Sequence, residues 1–93
     1  MLPAAQRVAA RDVGAIAAIE DPLSRLVAAG AALRAGRADA KTPVVATDTA
    51  SGQGWRRPLL AWLLLRERQA RAAGDEAQAQ ALQRRIDIVQ GAR

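Results

Sequence analysis

Alanine supplies 24 of the 47 apolar residues in this 93-residue chain, and no other feature constrains its fold so tightly. The larger apolar side chains number only 23: ten Leu, six Val, four Ile, two Trp and one Met. Alanine favours helix more than any other residue, yet it brings little area to a core. A chain of this length already buries a modest share of its surface. The composition therefore points to helices around a thin core, completed by a second copy or by another protein.

The chain has no Cys and no His. Disulfide frameworks, thiol chemistry, the usual zinc ligand sets and imidazole acid–base catalysis are thereby removed. The remaining catalytic candidates are Asp48, Thr49 and Ser51 in one polar stretch, and the adjacent Glu20 and Asp21. Asp21 is better explained as a helix cap before Pro22, and a loop hydroxyl beside a carboxylate is not a nucleophile without a base. The expectation is a protein that is not an enzyme, with no cofactor and no metal.

Fourteen basic residues, thirteen of them Arg, stand against nine acidic ones, for a net charge of +5. An Arg- and Ala-rich, Lys-poor composition reflects a GC-rich genome as readily as phosphate binding. The excess is spread, +2 before residue 46 (6 − 4) and +3 after it (8 − 5), with no polybasic tail. Arg7, Arg11 and Asp12 break any secretory pattern near the start, and the longest apolar run, Leu59–Leu65, is seven residues. A bilayer span needs about 20. The expected location is cytoplasmic.

Four helices are expected, over about 3–19, 22–35, 55–73 and 76–90. In the first, Ala5, Val8, Ala9, Val13, Ile16 and Ile19 recur at three-and-four spacing, interrupted by Asp12 and weakened by Gly14. Asp21-Pro22 ends that helix and starts the second. The second carries Leu23, Leu26, Val27, Gly30 and Leu33 on one face, expected to serve the core, and its small residues allow close approach of another backbone. Gly36 terminates it.

Residues 37–54 read as one long loop. Thr42 to Thr47 hold a β-branched cluster, but Pro43 limits 43–47 to a short edge strand or an extended linker. Asp48 to Gly54 reads as a flexible polar turn. The third helix starts at Trp55 or Arg56 with Pro58 in its first turn, is apolar through Leu65 and solvated afterwards. Gly74-Asp75 closes it and caps the fourth, where Ala79, Leu82, Ile86 and Val89 form a seam suited to an antiparallel hairpin. The fold class is all-α, a small single domain ending in that hairpin.

Three groups of residues carry functional expectations. Gly52, Gly54, Arg56 and Arg57 combine glycine backbone, a helix N-terminus and two cations, and form a candidate anion site. They are not a P-loop, since the lysine with its following hydroxyl residue and the preceding strand are missing. Trp55, Arg56, Arg57, Leu60 and Leu64 form a candidate partner-binding seam with a cationic rim. Arg56, Arg57, Arg66, Arg68, Arg71, Arg84 and Arg85 could line a basic stripe, but Glu67, Glu76 and Asp87 interrupt it. Base stacking by only Trp55 and Trp62 is disfavoured, because stacking surfaces interleave several aromatics with basic residues. An interfacial membrane helix at 55–65 is disfavoured too, because its apolar residues surround most of the helix.

Residues 61–86, with Trp62 early and Gly74-Asp75 at the turn, resemble a tetratricopeptide-type helical hairpin. The glycine falls one position late, the small-residue and tyrosine positions are not met, and no second copy follows at a period of about 34. The resemblance is to a generic hairpin, and no family is assigned. The function expected is a non-enzymatic protein–protein interaction module, such as an adaptor, chaperone-like protein or inhibitor, that binds another protein or a second copy of itself. The alternative is a small basic nucleic-acid-binding or accessory protein.

Overall fold

A computed structural model describes residues 13–91, and among them every regular element is an α-helix. They are α1 (Val13–Ala17), α2 (Pro22–Arg34), α3 (Thr42–Gln53), α4 (Arg56–Ala72) and α5 (Glu76–Gly91). The all-α class is as expected. Of the helix expected at 3–19, residues 3–12 lie outside the described part.

The expected punctuation holds at three junctions. Asp21 caps α2, accepting from the Ser24 backbone N–H at 2.9 Å and the Ser24 hydroxyl at 2.7 Å, with Pro22 in the first turn. Gly36, at φ +70°, ends that helix. Gly74, at φ +76°, lets the Asp75 N–H turn back to Ala70 O, and Asp75 then accepts from the Gln78 N–H at 3.1 Å. A positive φ of this kind costs glycine nothing and any other residue strain.

The loop expected over 37–54 and the edge strand at 43–47 are both corrected. Thr42–Gln53 is a twelve-residue helix. Asp39 starts it, accepting from the Lys41 N–H at 2.8 Å and the Thr42 N–H at 3.2 Å, and Pro43 sits in the first turn, where no N–H is needed. Its β-branched residues fit because their hydroxyls turn inward along the helix. Thr47 Oγ1 donates to Pro43 O at 2.7 Å, and Thr49 Oγ1 donates to Val45 O at 2.8 Å. Thr42, Thr47 and Thr49 are thus buried with their polar atoms satisfied, and the helix packs like an apolar one.

Helices α2 to α5 alternate in direction. Arg25 near the start of α2 donates to Thr49 Oγ1 near the end of α3 at 3.1 Å, and Arg56 at the start of α4 donates to Gln90 O at the end of α5 at 3.0 Å. Each packs on its chain neighbour: α2 on α3, α3 on α4, α4 on α5, with α1 against α2 and α3. Among the described residues, α2 and α5 never meet. The helices form an open array rather than a closed bundle.

Two apolar clusters follow. Ile16, Ala28, Ala29, Ala32 and Ala46 join α1, α2 and α3, with half-buried Ile19, Leu26, Val45 and Trp62 against them. Leu63, Ala70, Ala79, Leu82 and Ile86 join α4 and α5, with Leu59, Leu60 and Val89 alongside. The C-terminal hairpin and its seam are as expected. The later half of α4 is less solvated than expected, since Ala70 and Glu67 are buried and Glu67 accepts from Arg71.

Candidate interaction surface

The five residues expected to form a partner-binding seam are separated by the fold. Trp55 is the half-buried N-cap residue of α4, and its N–H donates to Ala50 O at 3.0 Å. Leu60 is half-buried against the hairpin core, whereas Leu64 is exposed. Arg56 is tied to Gln90 O, and Arg57 is exposed. Two of the five, Arg57 and Leu64, thus share the outer face of α4, seven residues apart. Arg56 also resolves an electrostatic puzzle, since a cation in a helix's first turn opposes the macrodipole. Here the guanidinium serves the adjacent C-terminus of α5, whose last carbonyls want a donor.

The candidate anion site at Gly52, Gly54, Arg56 and Arg57 is not assembled as expected. Gly52 lies in the last turn of α3, not in a flexible loop. Gly54, at φ +70°, closes that helix, and its N–H is already spent on Ser51 O at 3.1 Å. The Trp55 N–H is spent as well. The C-terminus of α3, the negative end of its dipole, abuts the same spot.

A surface not expected from the sequence stands out instead on α2. Of the face chosen for the core, Leu26 does pack against the core, but Leu23, Val27 and Leu33 lie outward, 61%, 52% and 36% exposed. The inner face is alanine. Ala28 and Ala29 are 0% exposed and Ala32 is 2% exposed. The helix is largely inverted relative to size, with its alanines inside and three of its four Leu and Val residues outward. Leu23, Val27, Gly30 and Arg34 follow one another at spacings of four, three and four, the repeat of a coiled-coil seam. Leu26 and Leu33 flank that seam on one side.

The other exposed apolar residues do not form a comparable ridge. Val44 borders an open groove of about 220 Å³ between α3, α4 and α5, together with Pro43, Arg66, Ala70, Asp75 and Leu82. Arg66 is held below the ordinary arginine value, first by burial and then by Arg85, with Asp48 opposing. Ile88 stands alone on the outer face of α5, one turn from Arg84.

The charges divide unevenly. Asp21, Asp39 and Asp75 serve as helix caps, while Glu67 and Glu76 pair with Arg71. The hydrogen bond from Arg71 to Glu67 raises Arg71 above its usual value, with the Glu67 charge adding to the effect. Arg25 is likewise internal, donating to Ile19 O at 2.8 Å, Glu20 O at 3.2 Å and Thr49. Arg34, Arg37, Lys41, Arg57, Arg68 and Arg84 remain exposed. Five of the eight described carboxylates are thus used within the fold, so exposed cations outnumber the exposed Glu20, Asp48 and Asp87.

Among the described residues no cluster of three or more acidic side chains is placed to hold a metal, and no helix is long and apolar enough to cross a membrane. No family model, curated protein or solved structure matches the chain.

Proposed function

We propose that the chain is a non-catalytic, cytoplasmic interaction module that docks a protein partner through the outer face of α2. The observation that carries this reading is the inversion of that helix. A lone exposed leucine is ordinary, but a helix that buries its alanines and presents a ridge of larger side chains is not. Fully covering a Leu or Val contributes about 1.5–3 kcal/mol, so covering Leu23 and Val27, each about half exposed, contributes roughly 1 kcal/mol or more apiece. Arg34 at one end of the ridge supplies a polar rim. The start of α4, with Arg57 and Leu64, is a subsidiary contact in this reading.

The test is stoichiometric co-purification from the native cell. Leu23→Asp and Val27→Asp, each checked for unchanged helicity, should lose the partner that the unmodified chain retains, whether another protein or itself. Two folded variants that keep every partner sink the proposal.

The unpaired cations support a second reading, binding to nucleic acid. It requires an affinity for RNA or DNA that falls steeply with added salt and is lost when Arg57 and Arg68 are changed to Glu. No binding at low salt removes it.

A further inference from the structure

We infer that the partner on the α2 ridge is a second copy of this chain, with the two α2 helices packed antiparallel about a twofold axis between Val27 and Gly30. The inference rests on the docking reading above and names its occupant. Two properties of the ridge favour a copy of itself, and a third sets how tightly it is held.

The first is shape. The spacing Leu23, Val27, Gly30, Arg34 places alternate seam positions opposite one another when two such helices run antiparallel. Val27 of one copy then faces Gly30 of the other, a branched side chain over a position with none. At the ends of the seam, Leu23 faces Arg34. Among the described residues only the Arg34 side chain lies over Gly30: its Nη1 is 3.4 Å from where a Cβ on Gly30 would stand. A flexible side chain of that kind swings aside at little cost.

The second is charge. The N-terminal end of the ridge carries Glu20 and Asp21, and the C-terminal end carries Arg34 and Arg37, all exposed. Antiparallel pairing sets the acidic end of each copy against the basic end of the other, twice by symmetry. Parallel pairing sets Arg34 against Arg34 and Glu20 against Glu20, which is repulsive at both ends. The helix dipoles also favour the antiparallel choice.

The third is size. A helix of thirteen residues is about 20 Å long, and one such pair buries less than the roughly 1,200 Å² of a standard stable complex. A self-complementary patch of this size belongs to the weak, reversible class of interface.

Sedimentation equilibrium on the full chain tests this. The unmodified protein should pass from monomer to dimer as its concentration rises towards about 1 mM, and Val27→Asp, with unchanged helicity, should stay monomeric. The decisive arm uses two charge variants, Glu20→Arg and the double change Arg34→Glu with Arg37→Glu. Each alone should dimerise at least about tenfold more weakly. Mixed together they should regain dimer, because one end of the mixed pair keeps its native opposite charges and at the other the cation of Glu20→Arg faces the two new carboxylates. Loss of structure cannot produce that rescue.

A monomer up to about 1 mM overturns the second copy as partner. The docking reading then stands or falls separately, on whether Val27→Asp loses another protein. A dimer that survives Val27→Asp, or charge variants that stay apart on mixing, overturns the antiparallel α2 pairing.

Discussion

The inversion of α2 predicts that two substitutions two residues apart have opposite consequences to those that size suggests. Val27→Ala removes a side chain already about half in water, a loss of about 0.8 kcal/mol of burial, while alanine's better helix propensity returns about 0.5 kcal/mol. The net change is a few tenths of a kcal/mol. Ala29→Val adds two methyl groups at a site with 0% exposure. Overpacking there costs about 1–3 kcal/mol, and the poorer propensity adds about 0.5 kcal/mol. In a domain of this size each kcal/mol moves Tm by about 4–8 °C. Ala29→Val should therefore lower Tm by about 6 °C or more, and Val27→Ala should leave it within about 3 °C. Far-UV circular dichroism melts at a protein concentration below any dimerisation decide the matter. If Val27→Ala is the more damaging of the two, Val27 belongs to the core and the inverted helix is wrong.

Two further outcomes follow from single hydrogen bonds. Arg56→Ala removes the donor to Gln90 O, worth about 0.5–1 kcal/mol at an exposed site, so hydrogen exchange in the last turn of α5 should quicken roughly two- to fivefold; unchanged exchange there refutes the cap. Asp21 is lowered from 3.8, first by the Ser24 hydroxyl and then by the Ser24 N–H. Its contribution is thus full above 3.8 and is lost as pH falls through the lower folded value. An NMR titration of the Asp21 carboxyl should show a midpoint below 3.8, and a midpoint at or above it removes the capping account.

Punctuation was the legible part of the fold. Asp21-Pro22, Gly36 and Gly74-Asp75 act through local backbone geometry, so their meaning survives without knowledge of the partners across the fold. The Ala79, Leu82, Ile86, Val89 seam was legible because its other face is polar. α3 was not, because Thr42, Val44, Val45, Thr47 and Thr49 favour extended backbone by local preference alone. What reverses that preference is burial against α2 and α4, with the hydroxyls of Thr47 and Thr49 satisfied one turn back. A signal was present all the same. Asp39 before Thr42-Pro43 and Gly54 at the far end are a cap, a first-turn proline and a left-handed terminator.

The candidate site was less legible for a different reason. In α2 both faces are apolar, so periodicity does not say which one turns inward. Size favours the Leu and Val face, and contact with α3 favours the other, since alanine lets two helix axes approach closely. Arg56 shows the same limit. Its place in the first turn of α4 looked like a waiting anion site, and only the proximity of Gln90, thirty-four residues away, reveals the partner.

The edges of the array differ in how they treat exposure, which supports reading the α2 ridge as more than a by-product of a thin core. In an open array the helices at its edges expose a face, and among the described residues both α5, which meets only α4, and α2, which meets α1 and α3, do so. α5 meets that exposure with polar residues: Gln80, Arg84 and Asp87 lie outward, and Ile88 is isolated among them. α2 meets it with Leu23, Val27 and Leu33. Shortage of bulky residues cannot explain this difference. A chain with only 23 large apolar side chains leaves three of them outside on one helix, while alanine fills the core beneath. An edge so treated lowers the free energy of the isolated chain less than the same residues would inside. Further stabilisation from Leu23 and Val27 would arrive only if another surface covered them, as the proposed pairing does.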